Sequence, residues 1–169
     1  PFSFIYPADG VPQKNHVFLF KAWEHLQENH HLTPELHLTI PSKFTELILE
    51  IERLQRKGLK IINHGFVSQT EMKRIYREHR YLVFPSLSES FGLPLVEGGA
   101  AGLKVIGSDL PFIYQVVKPS AVFDAGDVKG LSDIIARLYR GLELPPTEVI
   151  VKDNIAEIFQ MIQPHKIPA

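Results

Sequence analysis

The chain of 169 residues contains no cysteine, so it forms no disulfide and offers no thiolate to a metal. No uninterrupted apolar run approaches the ~18–20 residues that a bilayer-spanning helix needs, and no transmembrane segment is expected. Neither sign of charge predominates, with 18 Lys and Arg against 19 Asp and Glu. The formal net charge is −1 and the pI about 6.8, which gives no electrostatic case for a nucleic-acid partner. The opening PFSFIYPADG lacks the basic n-region of a signal peptide. It begins directly on a strand pattern, so the expectation is a piece cut from a longer protein.

Several chemical signatures are absent too. No Gly-x-Gly-x-x-Gly follows the first strand pattern, so the dinucleotide fingerprint is missing. There is no Gly-x-x-x-x-Gly-Lys-Ser/Thr and no Gly-x-Ser-x-Gly, which removes the P-loop NTPases and the nucleophile elbow. Of the eight histidines, no pair stands at helical i, i+4 spacing with a carboxylate partner, so a zinc site is not expected. His30 and His31 read as a helix-end pair in solvent.

What is present is a hydrophobic fraction of 44%, enough for a globular core in one domain over residues 1–169. Strand and helix patterns alternate about six times. Strands are expected at Phe2–Tyr6, Glu35–Ile40, Lys60–Asn63, Tyr81–Phe84, Lys104–Ile106 and Ala121–Phe123. Between them, helices are expected from about Asn15 to Glu28, Thr45 to Lys57 with Gly58 as its stop, and Ser68 to Glu78. Ser68 with Glu71 forms a capping box. A further helix starts at Pro111, capped by Ser108 or Asp109, and Asp127 caps another that ends near Gly141. Pro145–Pro146 closes the regular pattern, and a last helix is expected from about Asp153 to Gln163. Such alternation predicts an α/β fold, a Rossmann-like doubly wound parallel sheet of about six strands. Ligands of such sheets bind beyond the carboxyl ends of the strands.

The stretch Pro85 to Gly102, PSLSESFGLPLVEGGAAG, organises the rest. It follows the YLVF strand and reads as loop then short helix, with Pro94 in the first turn and Gly102 at the exit. A helix start offers unpaired N–H groups and a partial positive charge, which favour an anion such as phosphate. Glu89 lies in the loop facing that start, and Glu97 about one turn into the helix. Carboxylates accept hydrogen bonds from sugar or ribose hydroxyls. The stretch therefore combines a phosphate cradle with two hydroxyl acceptors, as a nucleotide-sugar would need. The alternative is a surface helix with two solvated glutamates. Gly98 and Gly99, each costing roughly 1 kcal/mol in a helix relative to Ala, point to close backbone approach.

The segment SESFGLPLVEGGAAGLKVIGSD resembles the donor-binding segment of the retaining glycosyltransferases of the GT-B fold, over roughly Phe2 to Tyr139. Their pattern is a Glu, a Phe-Gly pair, a Pro and a second Glu eight positions after the first. The resemblance covers only the C-terminal half of such an enzyme. It implies transfer of a sugar from a nucleoside diphosphate to an acceptor hydroxyl, with retention, the acceptor domain lying outside this chain. On this reading Glu97 binds the ribose and Glu89 the donor sugar. Ser88 and the backbone N–H groups of Phe91, Gly92 and Leu93 face the diphosphate. Lys14, otherwise a solvated surface lysine, neutralises it. Gly65–Phe66–Val67 resembles the base-binding loop, though Phe66 or Val67 as simple core is equally open.

The family commonly has a second basic residue after the first strand, where Pro7, Ala8 and Asp9 stand here, and a Glu where Gln115 stands. No Asp-x-Asp occurs, so no metal is expected, and no cofactor beyond the nucleotide-sugar donor. The resemblance implies a cytoplasmic location, or one peripheral to the membrane through the missing domain. A sugar-nucleotide epimerase half-domain, or a non-catalytic nucleotide-sugar-binding module, is the alternative.

Overall fold

A computed structural model of the chain describes residues 2–151; the helix expected from Asp153 falls outside them. Six strands form one sheet: β1 (Ser3–Tyr6), β2 (Glu35–Leu38), β3 (Ile61–Asn63), β4 (Tyr81–Phe84), β5 (Lys104–Ser108) and β7 (Ala121–Phe123). Their order is β3-β2-β1-β4-β5-β7, and every neighbouring pair is parallel. The doubly wound parallel sheet expected from the alternation is therefore present. β1 and β4 are buried along their whole length, as apolar runs covered on both faces must be.

The connecting helices are α1 (His16–His30), α2 (Thr45–Arg56), α3 (Gln69–Glu78), α4 (Leu93–Ala100), α5 (Ile113–Val116) and α6 (Val128–Tyr139). α1 packs against α6, where Ser132 Oγ donates to the Ala22 carbonyl at 3.2 Å, and against β7, where the Phe18 and Phe123 rings stack at 5.6 Å. Below α1, Phe4 meets Trp23 edge-on, and Trp23 Nε1 donates to the Pro34 carbonyl at 3.0 Å. The partner satisfies the only polar atom of a fully buried indole.

Local signals behave largely as expected. Ser68 and Glu71 form the capping box, and Asp127 accepts from the Gly130 N–H at 2.9 Å. Gly58 and Gly102 are left-handed, with φ of 91° and 87°. Two expectations fail. Neither Ser108 nor Asp109 caps α5, which starts from Phe112 without a side-chain cap. Ser108 is instead the buried last residue of β5, donating to the Ser86 carbonyl at 2.7 Å, and Asp109 accepts from the Tyr114 hydroxyl at 2.6 Å. The regular pattern also runs past Pro145–Pro146. β6 (Val117–Lys118) and β8 (Glu148–Val149) pair antiparallel in a small ribbon. Two-residue strands carry no readable periodicity. Thr147 fixes this ribbon to the main sheet, its Oγ1 accepting from the Val105 N–H at 2.8 Å and meeting Ser120 Oγ at 2.9 Å.

Candidate functional site

The chain order makes a crevice. From β1 it moves outward through β2 to β3, then returns to β4 on the other side of β1. The connections after β1 and after β4 therefore leave toward opposite faces, and the gap between them lies at the carboxyl ends of the strands. Lys14 stands in the first connection and Glu89 in the second. Lys14 Nζ lies 2.6 Å from Glu89 Oε1, an ion pair between residues 75 apart in sequence.

The pair is held from below. Tyr6, the last residue of β1, brings its hydroxyl within 2.9 Å of the Lys14 carbonyl and 2.7 Å of Ser86 Oγ. Ser86 Oγ donates to Glu89 Oε1 at 2.7 Å. Two further bonds fasten the loops: Leu87 N–H to the Gln13 carbonyl at 2.8 Å, and Asn15 Nδ2 to the Pro85 carbonyl at 3.2 Å. Asn15 itself is left-handed, with φ of 58°, a conformation Asn tolerates better than most residues. Its N–H closes a short 3-10 turn, Pro12–Lys14, that presents the lysine.

Above the pair, Ser88 is exposed and Phe91 lies on the surface of the same loop. Gly92 precedes α4 in a left-handed conformation, φ 77°, and a Cβ there would also meet Leu95 Cδ1 at 3.0 Å. Leu93 opens the helix, and N–H groups of a first turn have no intrahelical carbonyl to bond. Pro94 in that turn gives up no bond.

Glu97 keeps different company from Glu89. It points into a cavity of about 530 Å³ between α3 and α4, where the Tyr76 hydroxyl donates to its Oε2 at 3.1 Å. Val67, Met72, Val96 and Ala100 supply apolar walls, while Gln69 and Lys73 add polar groups. Burial raises the Glu97 carboxyl above its usual value, against the Tyr76 hydroxyl and nearby Lys73, which lower it.

The Gly65–Phe66–Val67 turn is divided. Val67 packs partly on the core and lines the cavity, whereas Phe66 is 87% exposed and is no core residue. Gly65 is left-handed with φ 69°, and its N–H reaches Asn63 Oδ1 at 3.3 Å. Asn63 also exchanges two bonds with the Ile40 main chain, both 2.9 Å, which fixes this turn to the end of the second strand's connection.

The structure thus joins Lys14 to Glu89 and places Glu97 with Val67 around one cavity. Sequence reasoning did not single out Tyr6, Ser86, Asn15 or Tyr76. Ser86 lay inside the central stretch, and Tyr76 on the apolar face of α3, but only their tertiary partners reveal what they do.

The family described as Glycosyl transferases group 1 matches this chain over residues 1–146. An O-antigen chain mannosyltransferase B of Escherichia coli is 30% identical over 131 residues, covering 76% of this chain and 34% of that protein. The O-antigen chain mannosyltransferase RfbU of Salmonella typhimurium is 39% identical over 57 residues, 34% of this chain and 16% of that protein. The chain therefore spans about a third or less of the length of these curated relatives. Among solved structures, apo OtsA superposes with a TM-score of 0.71 at 16% identity, over 83% of this chain and 36% of that one. The catalytic domain of cholesterol-α-glucosyltransferase from Helicobacter pylori gives 0.66 at 21% identity, over 83% and 87%. At these identities the likeness is one of fold.

Proposed function

Because this chain belongs to the group 1 glycosyl transferases, we propose that it is the donor-binding half of an enzyme that moves a sugar from a nucleoside diphosphate to an acceptor hydroxyl with retention. Its sheet is that of the C-terminal, Rossmann-like half of the GT-B fold. The observation that carries the reading is the 2.6 Å contact of Lys14 with Glu89 across the crevice. A cation and a carboxylate stand together at the place where doubly wound sheets take their ligands.

On this reading the nucleoside enters the cavity between α3 and α4. Glu97 accepts hydrogen bonds from the ribose hydroxyls, and the Gly65–Phe66–Val67 turn meets the base. The diphosphate lies over the opening of α4, against the N–H groups of Phe91, Gly92 and Leu93 and beside Ser88. Lys14 turns from Glu89 to the phosphates, which frees Glu89 to accept from the donor-sugar hydroxyls. Breaking the bond from the anomeric carbon to phosphate oxygen leaves negative charge on the diphosphate. Lys14 and the fixed amides stabilise that charge, a contribution that is usually the largest in such catalysis. The acceptor oxygen then bonds the anomeric carbon on the face the diphosphate leaves, and the leaving phosphate takes the acceptor proton. The reading calls on no metal and no cofactor beyond the donor. The relatives named as mannosyltransferases support a hexose donor.

Calorimetry with UDP-, GDP- and ADP-sugars tests it on the wild-type chain and Glu97→Ala. Removing the ribose acceptor is expected to weaken the preferred donor by about 10- to 100-fold, the loss of hydrogen bonds to a charged group. Equal affinities would remove the ribose role.

One observation favours a second reading, a binding module without transfer. Pro7, Ala8 and Asp9 follow β1, so Lys14 has no basic neighbour in that loop. A longer protein carrying this chain that binds a donor yet neither transfers nor hydrolyses it would establish the module.

A further inference from the structure

We propose that Tyr6 and Ser86 are positioning residues of the donor site, holding Glu89 and Lys14 in register across the crevice while those two side chains exchange partners. The inference rests on the reading of the site given above and assigns work to two residues that touch no ligand.

Both are fully buried, so neither reaches solvent or substrate. Counting protons shows how they are linked. Three short contacts join Lys14 O, Tyr6 OH, Ser86 Oγ and Glu89 Oε1, and only two hydroxyl hydrogens serve them. The ionised carboxylate only accepts, so Ser86 gives its hydrogen to Glu89. The Lys14 carbonyl also only accepts. The Tyr6 hydrogen therefore lies between that carbonyl at 2.9 Å and Ser86 Oγ at 2.7 Å. Burial pushes the Tyr6 hydroxyl far above its ordinary value, so this donor is always protonated. Ser86 is braced in turn, its own carbonyl accepting from Ser108 Oγ at 2.7 Å.

One phenol thus shares a single hydrogen between the main chain that carries the cation and the hydroxyl that carries the carboxylate. When a diphosphate draws the Lys14 ammonium away, Glu89 loses one of its two partners on Oε1 and keeps Ser86. The carboxylate then stays aimed at the sugar without a counter-ion. Tyr6 keeps the Lys14 backbone in place, so only the flexible side chain moves.

The test is calorimetry on the chain with UDP, GDP and ADP, each alone and as its glucose or mannose conjugate. Ser86→Ala is expected to weaken the conjugate about 5- to 10-fold, part of the worth of one hydrogen bond to a carboxylate, and the bare diphosphate less than about 2-fold. Tyr6→Phe weakens both. In a Glu89→Gln background, Ser86→Ala should add little further loss, because Ser86 acts through the carboxylate. A loss that is additive in that background, or equal for conjugate and bare diphosphate, overturns the inference and leaves an ordinary buried serine. Should Ser86→Ala lose cooperative unfolding, Ser86→Cys, of similar shape with a weaker donor, carries the same comparison. If the wild-type chain binds none of these ligands, the reading of the site fails and the inference with it. If the wild type binds and the variants match it, only the inference fails.

Discussion

His16, at the start of α1, is 3% exposed, and its Nε2 lies 2.6 Å from the Asp9 carbonyl. A carbonyl only accepts, so Nε2 carries the hydrogen, and Nδ1 is left buried without a partner among the described residues. Charging the ring would put a cation in that enclosure. Burial lowers its value from 6.5 to about 4, with the Asp9 carbonyl and carboxylate opposing the shift and Lys14 adding to it. The folded value lies below the unfolded one, so the stability this group contributes is present above about pH 6.5. It is lost as the pH falls toward 4, to a total of roughly 3 kcal/mol. Urea unfolding of wild type and His16→Gln between pH 7 and pH 4 should show a flatter profile for the variant. Glu97 runs the other way. Its raised carboxyl is a cost while ionised, so Glu97→Gln should leave the urea midpoint at pH 7 unchanged or higher. It should still weaken the nucleotide by about tenfold or more. At this scale the sequence was legible where a residue's role is local. Glu89 and Glu97 could be singled out as candidates from their place in a loop and at a helix start, and Lys14 through the family resemblance, but the contact of Lys14 with Glu89 could not be foreseen. Tyr6 and Ser86 could not be singled out, because a Tyr ending an apolar strand looks like core until its hydroxyl partners are known.

The elements were legible in the same uneven way. Capping boxes and glycine stops depend on residues three or four apart, and those of α3, α6, Gly58 and Gly102 follow the sequence. Gly98 and Gly99 show what a costly pair of glycines inside α4 is for. A Cβ at Gly98 would meet Leu82 Cδ1 at 2.6 Å, in a fully buried side chain of β4. A Cβ at Gly99 would meet Val149 Cγ2 at 2.8 Å. Gly98 lets the helix that carries Glu97 lie close on the sheet, and Gly99 lets it lie close on the ribbon of β6 and β8. Gly98→Ala should therefore destabilise the chain by up to about 2 kcal/mol in urea unfolding. Overpacking of roughly 1–3 kcal/mol outweighs the ~1 kcal/mol gain in helix propensity. The failed cap at Ser108 and the unforeseen ribbon share a cause. Ser108 follows an apolar run and is claimed by the sheet, and β6 and β8 form only because a segment 30 residues away returns to pair.

For the whole molecule, alternation alone indicated the fold class, and short connections indicated parallel strands. The strand order was not readable from periodicity. It decides that the connections after β1 and β4 face each other, and thereby that Lys14 meets Glu89. The cavity between α3 and α4 is a property of two helices and one turn packed together, so composition could not announce it. Because the chain spans about a third or less of its curated relatives' length, its expected behaviour alone is partial. It should bind a donor in calorimetry and give no sugar transfer in a radiolabel assay. A longer protein carrying it should do both. Transfer by this chain alone would show that it also takes the acceptor.

The ribbon of β6 and β8 joins the chain's last described residues to α4, α5 and the sheet. Val149 sits against Gly99, Thr147 holds the Val105 N–H, and the Ile150 N–H bonds the Val116 carbonyl at 2.9 Å. A pull on the chain at Val151 would therefore reach α5 through Ile150, α4 through Val149 and the sheet through Thr147. On the proposed reading, the same pull would bear on the helix whose Glu97 takes the ribose.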